Sequence, residues 1–336
     1  MDRIDVHHHL VTENNPMYGM PDGMTWWSVD NALRLMDDNG IRMAMLSPMP
    51  RLPANARLIR LMTALRDGPT GRTKPVRELI RTGFRRANQL AADVASARPE
   101  RFGFYAVLGL VNGDDAVKEA AYAYDVLGAD GVLLTTNVGP VYLGDEAFEP
   151  LFAELNRRRA VVFVHPMLLP CPLVPRVPGH VADFLLSTVR AATNLVHKGT
   201  LLRYPELRII LPHGGGFIPY AVQRMAWALA SRDPSRSMDE LIAQYRSFYF
   251  DVAISTAPDT LAALLAFAEK THLLYGSDFP YTQPESVRFY TRQLDATDMD
   301  PQVRDGLNHA NAESLFPVCA RPKRQQADHP SLRERA

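Results

Sequence analysis

Three consecutive histidines, His7, His8 and His9, stand close to the start of the sequence. In a β-strand, residues i and i+2 point to the same side, so His7 and His9 can face one point while His8 faces the other way. Two imidazoles placed in this way make half of a site for a metal ion that favours nitrogen ligands, such as zinc. Because His-x-His pairs also arise by chance, this interpretation needs further ligands elsewhere in the chain.

Three later apolar runs end in a side chain that can bind a metal or carry a proton. VVFVH ends in His165, IILPH ends in His213, and LLYGSD ends in Asp278. One histidine at a strand end is more often a hydrogen-bonded structural residue. Several polar ends of parallel strands, however, meet at one mouth if the sheet closes, because the last strand then lies beside the first. We therefore expect Asp278 to reach the histidine pair.

The elements that must position these residues alternate between short apolar runs and helical patterns, such as Ser28–Asn39, Asp114–Leu127, Ala147–Arg158 and Pro258–Glu269. This alternation predicts an α/β fold, a (β/α)₈ TIM barrel, with a doubly wound open sheet as the alternative. No GxGxxG follows the first run, which removes the usual reason to prefer the open sheet. The predicted strands are Ile4–His8, Arg42–Ser47, Phe102–Leu108, Gly131–Thr135, Val161–His165, Leu207–Leu211, Phe248–Val252 and His272–Tyr275.

Long segments follow three of the predicted strands: Val11–Trp27, the basic segment 48–86, and the proline-rich Met167–Gly179. Loops at the C-terminal ends of barrel strands build active sites, so we expect lids over a pocket. For the basic segment, a solvated helical hairpin is the alternative. We predict one barrel domain over residues 1–317, with 48–86 as an insertion, and a disordered tail over residues 318–336.

The composition restricts the class of protein. Lys plus Arg and Asp plus Glu are balanced at 37 each, so no net charge indicates nucleic acid or an anionic membrane as a partner. The 2 cysteines are too few for a disulfide framework or a thiolate metal site. We find no signal-peptide pattern and no apolar run of transmembrane length, and we predict a cytoplasmic protein.

Several motifs resemble those of the amidohydrolase superfamily, in its decarboxylase branch related to aminocarboxymuconate semialdehyde decarboxylase and the o-hydroxybenzoate decarboxylases. With their spacing they extend over the chain from residue 2 to about 317. The first motif and the YLGD–VFVHP stretch look most like 6-methylsalicylate decarboxylases, whereas the basic segment departs from the pattern. The motifs are IDVHHHL, YLGDEAFEPLFAEL, VVFVHP, RYPELRIILPHGGGFIPY, FYFDVA and LYGSDFPY.

The resemblance implies that His7, His9, His165 and Asp278 bind the metal. It also implies that His213 is a catalytic histidine beside the metal, and a homodimer is expected on the same ground. The fourth predicted strand ends in TTN, without the Lys or Glu that bridges two metals in many relatives. One divalent ion is therefore expected, zinc first and manganese as the alternative. As a hypothesis, Asp278 is also catalytic and delivers the proton that decarboxylation requires.

Residues that could bind the substrate follow from position and resemblance. Arg224 has the spacing from His213 at which the semialdehyde decarboxylase carries an arginine from the neighbouring subunit; an interface ion pair is the alternative. Arg51 and Asn137 follow the second and fourth strands, and Phe217 could line an aromatic pocket. Further aromatic candidates, which packing explains as readily, are Trp26, Trp27, Phe279 and Tyr281. Asp251 is expected to support a metal ligand rather than to bind metal.

Three function classes remain open. The first is a metal-dependent nonoxidative decarboxylase of a small aromatic carboxylic acid such as an o-hydroxybenzoate. The second is a lactonase or amidase in which a metal-bound water attacks and His213 acts as its base. The third is a barrel that has kept its metal without catalysis. The complete ligand set disfavours the third class and does not separate the first two.

Overall fold

The structure, a computed structural model, describes residues 2–12, 24–49, 74–109 and 113–320. Eight parallel strands form the main sheet, and their order in the sheet follows their order in the chain. Each overlaps a predicted strand, and a short antiparallel hairpin, Asn137–Val138 with Val141–Tyr142, follows the fourth. The strands are β1 (Arg3–Leu10), β2 (Ile41–Pro48), β3 (Phe102–Val107), β4 (Gly131–Thr135), β5 (Val161–His165), β6 (Arg208–Leu211), β7 (Tyr249–Asp251) and β8 (Leu273–Leu274).

The sheet closes between β1 and the residues that follow β8. The Val6 amide donates to the carbonyl of Tyr275 at 3.0 Å, and the His9 amide donates to the carbonyl of Phe279 at 2.7 Å. An isolated parallel bridge joins His8 to Phe279. The predicted barrel is therefore confirmed over the open sheet.

Helices alternate with the strands, and the predicted helices begin and end within a few residues of the observed ones. The Ser28 side chain accepts from the amide of Asn31 and caps the helix Val29–Asp38, and Ser237 with Glu240 forms a capping box at the helix Met238–Arg246. The helices are α1 (Val29–Asp38), α2 (Lys74–Ala97), α3 (Gly113–Asp125), α4 (Glu149–Arg157), α5 (Asp183–His197), α6 (Thr200–Arg203), α7 (Ile218–Ala230), α8 (Met238–Arg246), α9 (Pro258–Phe267), α10 (Pro284–Ala296), α11 (Pro301–Asp305) and α12 (Asn311–Leu315). None of the helices in the described part of the chain is both long enough and apolar enough to span a bilayer.

The barrel interior is a packed core rather than a channel, as the fold requires. Tyr105 and Phe163 stack inside it with ring centroids 5.3 Å apart, and the Tyr105 hydroxyl donates to the carbonyl of Val6 at 3.1 Å. The ring of His7 lies on this core, 4.8 Å from the ring of Phe163. The core thus forms a rigid floor beneath the polar strand ends. Other residues of this barrel core are Ile4, Met43, Met45, Val107, Leu133, Val161, Ile210 and Leu274.

Three predicted segments lie partly outside the described residues. Of the segment Val11–Trp27, residues 13–23 are not described. Of the basic segment 48–86, residues 50–73 are not described, and the remainder from Lys74 belongs to helix α2. At the C-terminus, Val318 and Cys319 are buried, and Arg42 donates to the carbonyl of Cys319 at 2.9 Å. The packed chain therefore extends past the predicted boundary at residue 317. Residues 321–336 lie outside the residues that the structure describes.

Candidate metal centre and active site

An irregularity in β1 aims its histidines. Asp5 pairs with Ala44 and His8 pairs with Leu46, so three steps along β1 correspond to two along β2. Such a bulge re-aims side chains beside active sites. His7 and His9, two residues apart, lie together on one side of β1, with their Nε2 atoms 3.1 Å apart. His8 turns to the opposite side of the strand, where its Nδ1 lies 3.0 Å from Asp5 Oδ2.

The residues predicted to bind metal come together above the barrel core. Asp278 Oδ1 lies 3.1 Å from His7 Nε2 and 3.2 Å from His9 Nε2. His165, from the end of β5, stands beside His9 with ring centroids 4.8 Å apart. One nitrogen from each of the three histidines lies within 4.8 Å of the others. All four side chains are buried.

His213 completes the cluster from the turn after β6. Its Nε2 lies 3.5 Å from Asp278 Oδ2, so the two oxygens of Asp278 face different imidazoles. Both residues adopt left-handed backbone conformations, with φ of 55° for His213 and 57° for Asp278. Non-glycine residues pay about 1–3 kcal/mol for such conformations, which concentrate at functional sites. The turn after His213 needs glycine, because a Cβ on Gly215 would lie 2.7 Å from the Phe250 ring.

Asp251, at the end of β7, joins His7 to the turn that carries His213. Its Oδ2 lies 2.9 Å from His7 Nδ1, and its Oδ1 accepts from the backbone amides of His213 and Ala253, both at 3.0 Å. The carboxylate therefore keeps a proton on Nδ1 of His7 and turns Nε2 towards the centre. Gly276 leaves room for this arrangement, since a Cβ there would lie 2.9 Å from His7 Cβ.

The electrostatics of the cluster fit a cation. Burial lowers the pKa of His7, but Asp251 and Asp278 outweigh burial and raise that pKa to about 10. Burial is the largest influence on His9 and lowers its pKa to about 4. Burial, together with the neighbouring imidazoles, holds the pKa of His165 well below its ordinary value.

The carboxyl group of Asp278 completes this balance. Burial would raise its pKa, but His7 and His213 hold that pKa well below the usual range. Neutral imidazoles at His9 and His165, with an ionised Asp278, are the protonation states in which these groups bind metal. Two buried carboxylates facing His7 supply the negative charge that a divalent ion needs, so the donor set fits such an ion.

Asn137 is occupied by contacts between loops. Its Nδ2 donates to the carbonyls of Gly139 at 2.8 Å and Leu168 at 3.4 Å. Its Oδ1 accepts from the hydroxyls of Thr136 at 2.9 Å and Ser187 at 3.3 Å. These bonds tie the segment after β4 to the proline-rich loop after β5. Asn137 therefore holds loops in place, which the sequence did not indicate because two of its partners, Leu168 and Ser187, are distant in the chain.

The other predicted substrate residues differ in position. Phe217 is 39% exposed at the start of α7, directly after the turn that carries His213. Arg224 is exposed on the same helix. Arg51 lies outside the described residues.

The further aromatic candidates lie on opposite sides of β1. The Tyr281 ring lies 4.8 Å from the His9 ring and faces the cluster. Trp27 and Phe279 lie on the far side, where Trp27 Nε1 donates to His8 Nε2 at 3.2 Å and the Phe279 ring lies 5.3 Å from the His8 ring. Sequence position alone could not assign these residues to a side, because their contacts join segments that are distant in the chain.

Comparison with known proteins identifies the family. A family model described as amidohydrolase matches residues 4–318, nearly the whole chain. The chain belongs to the amidohydrolase family. Its similarity to a decarboxylase of Aspergillus niger, yanB, is 36% identity over 343 residues, covering 94% of this chain and 88% of the relative. A 6-methylsalicylic acid decarboxylase of Penicillium expansum is 40% identical over 240 residues, covering 69% of this chain and 74% of that protein.

Solved structures of other proteins share the fold. A dihydroxybenzoic acid decarboxylase from Polaromonas sp. JS666, with bound manganese and the inhibitor 2-nitroresorcinol, superposes with a TM-score of 0.73. It covers 94% of this chain and 97% of its own at 21% identity. The predicted superfamily, the predicted barrel and the predicted decarboxylase class are thus confirmed by these likenesses.

Proposed function

We propose that this chain is a metal-dependent nonoxidative decarboxylase that releases carbon dioxide from a small o-hydroxybenzoate-type acid, with 6-methylsalicylate as the first substrate to test. The observation that carries the proposal is the divided environment of Asp278. Its Oδ1 faces the Nε2 atoms of His7 and His9, whereas its Oδ2 faces His213. One carboxylate can therefore hold a metal ion with one oxygen and handle a proton with the other. The names of the relatives support the same class.

We assign the metal to His7, His9, His165 and Asp278, as one divalent ion. A bound ion supplies positive charge that orients the substrate's carboxylate and adjacent hydroxyl and stabilises negative oxygen. Three imidazoles and one carboxylate suit zinc, the expected ion, and also manganese, which the Polaromonas decarboxylase holds. Metal analysis of the purified protein decides between them.

In the proposed mechanism, Asp278 Oδ2 carries the proton to the ring carbon that bears the carboxylate. The carbon–carbon bond then breaks, its electrons return to the ring, and carbon dioxide leaves. Since Asp278 is ionised in the free site, it takes up this proton from the acidic hydroxyl of the bound substrate, and the phenolate product regains a proton from water. His213 Nε2 holds the carboxyl group in place for both transfers.

A second copy of the chain is proposed to complete the substrate site. Arg224 lies on the exposed side of α7 with Tyr220 and Trp227, which are 87% and 61% exposed. Exposed aromatic side chains beside an arginine are the composition of protein interfaces. In this proposal, Arg224 binds the substrate carboxylate in the partner's site and Phe217 lines the pocket. A dimer in light scattering that Trp227→Glu converts to a monomer is expected; a monomeric wild type would contradict it.

Product analysis tests the proposed reaction. Metal-loaded protein is incubated with a panel of o-hydroxybenzoates that includes 6-methylsalicylate, and the products are analysed by mass spectrometry. Loss of carbon dioxide that disappears on chelation is expected. If the panel stays intact while a parallel set of lactones and amides is cleaved, the chain is instead a hydrolase that uses the same ligands.

The proposed compartment remains the cytoplasm. Cys171 is exposed, Cys319 is buried, and both are free thiols. Free thiols are typical of a reducing compartment. Fractionation of the cells that make the protein would test this placement.

A further inference from the structure

The closing seam of the barrel is where two of the proposed metal ligands come from. His7 lies on β1 and Asp278 lies in the segment after β8. Backbone hydrogen bonds cross this seam from the amides of Val6 and His9, and the Asp278 amide donates to the carbonyl of His7 at 2.8 Å. A side chain that joins the two sides adds to these bonds in setting the distance between the two ligands.

Asp5 is the side chain that spans the seam. Its Oδ1 accepts from the backbone amide of His7 and from the backbone amide of Ser277, both at 3.0 Å. A single oxygen atom thus binds the backbone amide of the proposed ligand His7 and that of Ser277, the residue that precedes the proposed ligand Asp278. On the opposite side of the chain, His7 Nε2 and Asp278 Oδ1 are 3.1 Å apart.

The second oxygen of Asp5 is also fully engaged. Oδ2 accepts from the Ser277 hydroxyl at 2.5 Å and lies 3.0 Å from His8 Nδ1. Trp27 Nε1 donates to His8 Nε2 at 3.2 Å, so His8 carries its proton on Nδ1 and donates to Asp5. Asp5 and His8 are fully buried, and Ser277 and Trp27 nearly so. Such a satisfied, buried network has one geometry and resists displacement.

We propose that Asp5 is a positioning residue that sets the separation of His7 and Asp278 and thereby the affinity of the metal site. Asp5 does not touch the metal or the substrate in this proposal; it acts through the backbone of the two ligands. The network of Asp5, His8, Ser277 and Trp27 is thus the rigid support of the site. The inference rests on the proposed metal site and goes beyond it, because it assigns a role to residues outside the ligand set.

The test compares Asp5→Asn with Thr291→Val in Mn²⁺ titrations followed by electron paramagnetic resonance of the free ion. Asparagine has the same shape but offers one acceptor oxygen for the donors that Asp5 satisfies. Residues behind metal ligands typically contribute roughly 10–100-fold in metal affinity, and a loss in this range is expected for Asp5→Asn. Thr291→Val is the matched control: it removes the 2.7 Å bond to the Tyr275 hydroxyl, near the same seam but without contact to a ligand, and should leave Mn²⁺ affinity unchanged.

Thermal melting of the metal-free proteins separates positioning from folding. If Asp5→Asn melts like Thr291→Val and binds Mn²⁺ as tightly as wild type, the inference is overturned. If Asp5→Asn does not fold, Ser277→Ala decides. It removes the hydroxyl that donates to Asp5 and accepts from the Phe279 amide, and it should weaken Mn²⁺ binding several-fold, with wild-type affinity overturning the inference. A wild type that fails to bind Mn²⁺ would instead contradict the proposed metal site.

Discussion

The two sides of strand β1 carry histidines in opposite circumstances. On the outer side, both ring nitrogens of His8 have protein partners, Asp5 and Trp27. On the inner side, the Nε2 atoms of His7 and His9 converge on one carboxylate oxygen, and burial lowers the pKa of His9 to about 4. A buried histidine whose bonds are complete supports structure, whereas buried nitrogens that converge without completing one another's bonds indicate a ligand site.

The largest expected effect is on the inner side. His9→Ala removes a proposed ligand, so we expect Mn²⁺ binding and decarboxylation to fall to background. His8→Ala should instead lower the free energy of unfolding, by about 1–3 kcal/mol for each buried partner left without a bond, and should weaken Mn²⁺ binding far less than His9→Ala, because His8 acts only through Asp5. Metal content and melting temperature of the two variants measure this difference. A His8→Ala variant that loses metal as completely as His9→Ala and keeps wild-type stability would contradict it.

Asp278→Asn tests whether one oxygen of Asp278 binds the metal while the other carries the proton. Asparagine keeps an oxygen for the metal side but cannot carry the proton, so kcat should fall by roughly 10²–10⁴. The rate is measured at matched metal occupancy. Turnover near the wild-type rate would remove Asp278 from the proton-transfer role.

Asp251→Asn tests how far the carboxylate behind His7 contributes to metal binding. An amide in place of the carboxylate weakens the orientation of His7 through Nδ1, and a loss of roughly 10–100-fold in metal affinity is expected. Isothermal titration with Mn²⁺ measures the change. Unaltered affinity would mean that His7 is oriented by the barrel core alone.

The smallest effect lies far from the site, at Glu154 on α4. The hydrogen bond from Arg157, aided by Arg158 against the cost of burial, lowers the pKa of Glu154 from 4.5 to about 2. Because this pKa is depressed in the folded state, the stabilisation is complete above pH 4.5 and is lost as pH falls towards about 2. Glu154→Gln should cost up to about 1 kcal/mol near neutrality, as for other surface pairs.

Chemical denaturation at several pH values measures the Glu154 effect. The difference between wild type and variant should shrink through the acid window. The exposed Glu100→Gln serves as the control, and the same pH-dependent difference in that variant would contradict the assignment.

Much of this molecule could be predicted from the sequence because its signals are local. Apolar runs such as Val161–His165 reveal strands by composition, and Ser28 and Asn39 mark the ends of a helix by their capping chemistry. The convergence of His7, His165 and Asp278 follows from barrel closure, since strand ends meet at one mouth. These predictions needed only the strand period and the topology.

The remainder depends on contacts that no local pattern encodes. The bulge in β1 is a change of register against β2, and it decides that Asp5 and His8 share a side. Ser277 donates to Asp5, which is 272 residues away in the chain. Asn137 forms hydrogen bonds with Leu168 and Ser187. Tertiary pairing determines these partners. The sequence therefore predicted the proposed ligands and the support from Asp251, but not the contacts of Asp5, His8 and Ser277.

The most direct test of the proposed decarboxylation is the product mass after turnover in deuterated water. Metal-loaded wild type is incubated with 6-methylsalicylate, and the phenol product is analysed after exchange of its hydroxyl. We expect 3-methylphenol with one deuterium at the carbon that lost carbon dioxide, and no product after chelation. Unchanged 6-methylsalicylate from fully metal-loaded protein, or decarboxylation that persists without metal, would contradict it.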